Sequence, residues 1–102
     1  MLEPLFVYGT LKDPAVQQAV FGRVIEGKPD TLEGYVKSQI TLGGTVYPII
    51  RPDEKSAVEG LLIEVTPDEL TRIDGYEGSD YQRATVTLKS GRRAWVYREY
   101  VG

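Results

Sequence analysis

The sequence predicts an α+β domain, a small and mostly antiparallel β-barrel or strongly curled sheet carrying two short helices. Three observations point there. Apolar runs are short and are bounded by glycine or proline. Only two segments carry helix-start signatures, Asp13-Pro14 and Thr66-Pro67-Asp68-Glu69. The segments Tyr81 to Leu88 and Arg93 to Tyr100 alternate in polarity across a Ser90-Gly91 turn, which is a hairpin pattern. The repeated strand–helix units of a doubly wound parallel fold are missing. With 102 residues, no internal repeat and no linker composition, the chain reads as one domain.

Taken in order, Leu5 to Tyr8 is a short buried strand that breaks at Gly9. Asp13 is placed to cap a helix with Pro14 at its first position, running to about Val20 and stopped by Gly22. Val24-Ile25, Leu32 to Val36 and Val46 to Ile50 are strand candidates, with Gly43-Gly44 as a turn. Ala57 to Val65 is a longer strand in which Leu61, Ile63 and Val65 share a face, and Gly60 marks a bulge or a close backbone approach. Thr66 to Glu69 forms a capping box that opens a second helix, expected to be short because Gly75 follows soon. In the closing hairpin Ala84, Val86 and Leu88 lie opposite Arg83, Thr85 and Thr87. Val96 lies opposite Trp95 and Tyr97.

Composition removes several chemistries. The chain has neither cysteine nor histidine, so disulfides, thiol nucleophiles, Ser-His-Asp triads and His-ligated zinc are excluded. Acid–base work near neutral pH would fall to a carboxylate, a lysine or a tyrosine. Twelve basic and 15 acidic residues give a net charge of -3, and the basic residues are dispersed, which argues against a nucleic-acid partner. No apolar run approaches the ~20 residues that span a bilayer. Met1-Leu2-Glu3-Pro4 shows no signal-peptide pattern, so a cytoplasmic protein is expected, as a monomer or weak homodimer.

The residues with chemical potential fall in three places. If the second helix continues one turn past Gly75, Leu70, Ile73 and Glu77 share a face, and Glu77 points toward the sheet. There it would be partly desolvated and could exchange a proton near neutral pH; otherwise it is a solvated glutamate in a loop. The loop Tyr8-Gly9-Thr10-Leu11 could present successive backbone N–H groups to a carboxylate or oxyanion, or could be an ordinary exit from a strand. Tyr81 could wall a pocket and Arg83 could grip a carboxylate, or the two could be a core tyrosine and a solvated arginine. Tyr47-Pro48 is either another pocket wall or a rigid turn.

The ordered set Tyr8-Gly9-Thr10-Leu11-Lys12, Tyr47-Pro48, Glu77-Gly78 and Tyr81-Gln82-Arg83 resembles the γ-glutamylcyclotransferase-like family. Within it, the set is most similar to the γ-glutamylamine cyclotransferase and avirulence-induced-gene-like branch. The chain lacks the Asn-His that several members carry after the position of Lys12. The resemblance implies a small β-barrel with a pocket at one end and release of 5-oxoproline from a small γ-glutamyl amine or peptide. It implies no cofactor and no metal. It puts the general acid/base at Glu77 and the substrate-cradling loop at Tyr8, Gly9, Thr10 and Leu11, with Tyr81 and Arg83 beside them. A non-catalytic small-molecule binding module, or a related enzyme that removes a γ-glutamyl group in a biosynthetic pathway, would use the same fold.

Overall fold

The computed structural model describes residues 1–99. Tyr100, assigned to the last strand from sequence, lies outside them. The elements are β1 (Glu3–Val7), α1 (Pro14–Phe21), β2 (Lys28–Leu42), β3 (Thr45–Val65), α2 (Pro67–Glu77), β4 (Tyr81–Thr87) and β5 (Arg93–Glu99), with a short 3-10 turn at Thr10–Lys12. The five strands form one curled mixed sheet, a half-barrel, in the order β2-β3-β1-β5-β4. Neighbours are antiparallel except β1 and β5, which run parallel at Leu5 and Trp95.

Strand alternation makes two cores, one on each face of the sheet. Phe6, Leu32, Val58, Leu62, Val86, Ala94 and Val96 fill the inside of the curl. Leu5, Val7, Ile63, Val65 and Tyr97 face the helices, where Phe21, Leu70 and Ile73 cover them. The alternation expected for Leu61, Ile63 and Val65, and for Trp95 and Tyr97 against Val96, is observed. Two edges of the curl meet where the β4–β5 turn touches β2. The Lys89 amide donates to the Thr31 carbonyl at 2.8 Å, and the Ser90 hydroxyl donates to Asp30 Oδ2 at 2.6 Å.

Two sequence expectations change. Val24-Ile25 is not a strand. This segment hangs on the buried Gln17, whose Oε1 accepts the Ile25 amide at 2.8 Å while its Nε2 donates to the Leu11 carbonyl at 2.8 Å. Ile25 packs on the helix-side core from a loop. Second, the short candidates Leu32–Val36, Val46–Ile50 and Ala57–Val65 are parts of two long strands that form one hairpin. The polar stretch Asp53 to Ser56 hides this continuity, because it falls at the register shift between the Tyr35–Pro52 and Glu33–Ala57 pairs. Pro52 is accommodated because its partner Tyr35 follows a register shift at Gly34, whose φ of +85° suits a bulge. At Gly60, of the two alternatives the sequence offers, the close backbone approach is the observed one. A Cβ there would strike the Val7 carbonyl oxygen and come within 2.8 Å of Phe6 Cζ, so glycine lets β3 approach β1 closely.

Helix α2 runs past Gly75 to Glu77. Its start is a complete capping box: the Thr66 hydroxyl accepts the Glu69 amide at 3.1 Å, and Glu69 Oε1 accepts the Thr66 amide at 2.8 Å. Glu69 also takes a two-pronged ion pair from Arg23, at 2.6 and 2.8 Å, which ties the end of α1 to the start of α2. The helix ends at Gly78, with φ +78° and its amide bonded to the Asp74 carbonyl at 3.0 Å.

Candidate active site

A cavity of about 210 Å³ opens at the end of β1. The strand delivers Tyr8 and Gly9 to its floor, and the 3-10 turn adds Thr10 and Leu11. The last residue of α2 supplies Glu77, and the first residue of β4 supplies Tyr81. Tyr47 and Pro48, near the tip of the β2–β3 hairpin, form another wall, so the pocket-wall alternative for that dipeptide is the observed one. Tyr76 and Tyr97 also line the space, and neither was singled out from sequence. Tyr76 precedes Glu77 directly. Alternation separates Tyr97 from Val96, and the structure places Tyr97 on the helix-facing side of the sheet.

Glu77 is the charged side chain among the described residues that line the cavity; no lysine or arginine joins it. Burial pushes its carboxyl up to about 7. Burial, and then the charge of Glu77, raise Tyr81 to about 12 and move Tyr8 above the ordinary tyrosine range. Both phenols therefore keep their protons at neutral pH. Those protons are already committed. Tyr8 donates to the Tyr97 carbonyl at 2.6 Å, and Tyr81 donates to the Pro48 carbonyl at 2.7 Å. What these hydroxyls offer the cavity is lone pairs, so with Glu77 they make a wall of acceptors suited to an ammonium group.

The facing loop has the opposite character. In the 3-10 turn the Lys12 amide bonds to the Gly9 carbonyl at 3.1 Å and the Asp13 amide to the Thr10 carbonyl at 3.0 Å. The amides of Gly9, Thr10 and Leu11 precede the first of these bonds and have no partner within the turn. Gly9 fits closely under the hairpin, since a Cβ there would lie 3.3 Å from Pro48 Cγ. Thr10 is tied to the helix end by a 2.9 Å hydrogen bond between its hydroxyl and that of Tyr76.

Arg83 is not brought into this cavity. Its Nε sits 2.8 Å from Asp74 Oδ1, and its guanidinium stacks over the Trp95 ring at 4.6 Å. The other predicted residues, Tyr8, Gly9, Thr10, Leu11, Glu77 and Tyr81, do meet around one space.

The sequence profile of the family described as gamma-glutamyl cyclotransferase, AIG2-like, matches residues 5–99. The chain belongs to this family. AIG2-like protein A of Arabidopsis thaliana is 42% identical over 88 residues, 85% of this chain and 52% of its relative. AIG2-like protein C of the same plant is 39% identical over 85 residues, 82% of this chain and 48% of its relative. The chain thus spans about half the length of these curated relatives. A solution structure from Arabidopsis thaliana superposes with a TM-score of 0.81 at 34% identity, covering 98% of this chain and 70% of that one. A structure described as a gamma-glutamyl cyclotransferase superposes with a TM-score of 0.77 over 98% of this chain and 68% of that one; at 14% identity it supports the AIG2-like fold alone. Among the described residues of this AIG2-like chain, no helix is long and apolar enough to cross a membrane, and no three acidic side chains gather as a metal site would require.

Proposed function

We propose that this chain releases 5-oxoproline from a small γ-glutamyl amine or peptide, with Glu77 as the acid–base group and no cofactor in the chemistry. The observation that carries this reading is a half-buried carboxylate poised near neutrality in a cavity that is also lined by Gly9, Thr10 and Leu11, whose amides have no partner within their turn. The substrate's α-ammonium would lie against Glu77 and the Tyr8 and Tyr81 oxygens, and Glu77 would take one proton from it. The freed amine attacks the γ-carbonyl carbon, forming the ring C–N bond and placing negative charge on the carbonyl oxygen. Amides of the Tyr8–Leu11 loop stabilise that oxyanion. Glu77 then returns the proton to the departing nitrogen as the original C–N bond breaks, takes the second proton from the ring nitrogen and passes it to the released amine, which leaves as an ammonium ion. Products are 5-oxoproline and that ammonium ion. Because the attack is intramolecular, orientation alone supplies a large part of the rate. Membership of the gamma-glutamyl cyclotransferase family supports the same assignment.

The test is 5-oxoproline release over a panel of γ-glutamyl amines, dipeptides and glutathione, with wild type and Glu77→Gln, with and without a chelator. We expect turnover of at least one compound, unaffected by chelation, and a loss of about 10²-fold or more in the variant. A folded Glu77→Gln protein with near-normal turnover would remove Glu77 from the mechanism. Loss of activity on chelation would overturn the metal-free scheme.

A further inference from the structure

Helix α2 has a last turn that its own sequence does not favour. Gly75 lies inside it, and a helical glycine is destabilising by about 1 kcal/mol relative to alanine. Asp74 and Glu77 put two carboxylates at the negative end of the helix dipole, with no basic residue in the turn. The last apolar anchor is Ile73, fully buried; Gly75 and Tyr76 face solvent. Yet this turn carries Glu77.

Besides the hydrogen bond between the Tyr76 and Thr10 hydroxyls, what holds it comes from the sheet. Asp74 Oδ1 accepts the Tyr97 hydroxyl from β5 and pairs with Arg83 Nε from β4. Arg83 is itself held flat against Trp95 of β5, whose indole N–H donates to Glu3 of β1 at 3.1 Å. The chain of contacts therefore runs from three strands to one carboxylate, one helical turn ahead of Glu77. The charged groups around Asp74 are Arg83 from β4 and Glu77 on its own helix, with Glu3 of β1 behind Trp95. We propose that Arg83 and Asp74 are positioning residues: through the Tyr97 hydroxyl they pin the last turn of α2 and keep Glu77 in the cavity wall. This rests on the reading of Glu77 as the acid–base group, and it gives Arg83 a role other than gripping substrate.

The experiment follows the Glu77 carboxyl by ¹³C NMR titration in the full chain, for wild type, Arg83→Met and Arg83→Lys. In parallel, kcat and KM are measured on a γ-glutamyl alkylamide. The sign of the titration shift discriminates. Loss of a positive charge alone would move the Glu77 midpoint up. Release of the turn into water moves it down, toward an ordinary glutamate, and that is the shift we expect for Arg83→Met. We also expect kcat to fall by roughly tenfold to a hundredfold, because a small misplacement of the acid–base group is enough. KM should stay near the wild-type value, and Arg83→Lys should recover part of the loss. A Glu77 midpoint unchanged or raised in folded Arg83→Met would overturn the proposal. So would a raised KM at unchanged kcat, which would mean direct contact with substrate. If Arg83→Met does not fold, Tyr97→Phe removes the hydroxyl link without altering charge; a lowered Glu77 midpoint is again expected, and an unchanged or raised one would overturn the proposal, KM being left aside because Tyr97 lines the cavity. If the wild type releases no 5-oxoproline at all, the activity falls, while the titration still decides the positioning.

Discussion

Glu77 sets activity against stability. A carboxyl held at about 7 in the fold, against an ordinary value of 4.5, binds more protons folded than unfolded between those two values. Folding is therefore favoured less as pH rises through that window. The shift corresponds to roughly 3 kcal/mol lost by pH values above 7. Glu77→Gln removes this titration. We expect wild type and variant to differ in stability by a constant amount below pH 4.5, and the difference to move in the variant's favour between 4.5 and about 7. Urea melts at four or five pH values read this directly; parallel curves would show that Glu77 is not desolvated. The same ionisation should appear as the acid limb of kcat/KM. The spacing Leu70, Ile73, Glu77 made this residue visible in the sequence. What it left open was whether the helix reaches Glu77, since Gly75 is a stop signal, and the support from Arg83 and Tyr97 arrives from strands that local patterning cannot place beside it.

At the scale of elements, α2 is the piece whose start and end are both tied to distant residues. Glu69 closes the capping box and takes Arg23, which comes first among the causes holding its carboxyl down at about 2. A depressed folded value means that its contribution is complete above pH 4.5 and is lost as pH falls toward about 2. We expect Glu69→Ala to destabilise by about 2 kcal/mol near neutrality, mostly through the cap. Arg23 is half open to water, and the ion pair itself is screened. Thermal melts should show the two proteins converging near pH 2; a gap that persists there would assign the loss to packing. Both ends of the capping box are adjacent in sequence and were legible. Arg23 was not, because its partner lies 46 positions away. The same limit explains Val24-Ile25. Two apolar residues after a helix read as a strand, but the buried amide of Gln17 claims that backbone first.

For the whole molecule, the curl is what gathers the cavity. Its walls come from the end of β1, the hairpin tip, the end of α2 and the starts or middles of β4 and β5. The sequence supplied the alternating faces and hence the curled sheet, but not the strand order that brings Tyr47 and Glu77 to one cavity. The curl is latched by Asp30 and Ser90 on the surface. We expect Asp30→Ala to destabilise by at most about 1 kcal/mol and to act locally. Hydrogen exchange of the Lys89 amide, which bonds to the Thr31 carbonyl, should quicken. The Leu70 amide in α2 should keep its wild-type protection. Equal acceleration at both would mean that the latch supports the fold as a whole.

The strand order also bears on how the protein is made. β1 lies between β3 and β5, so of the five strands the earliest to be made is the middle of the finished sheet. It waits for residues 61–65 to acquire one neighbour and for Trp95 to acquire the other. Tyr97, which accepts the Tyr8 hydroxyl and walls the cavity, is translated last of the lining residues. A nascent chain halted after α2 would already contain Glu77 but have nowhere to bury it. In such a fragment the carboxyl would titrate as in a free peptide, so its shifted ionisation has to wait until β4 and β5 have been made and have closed on the sheet.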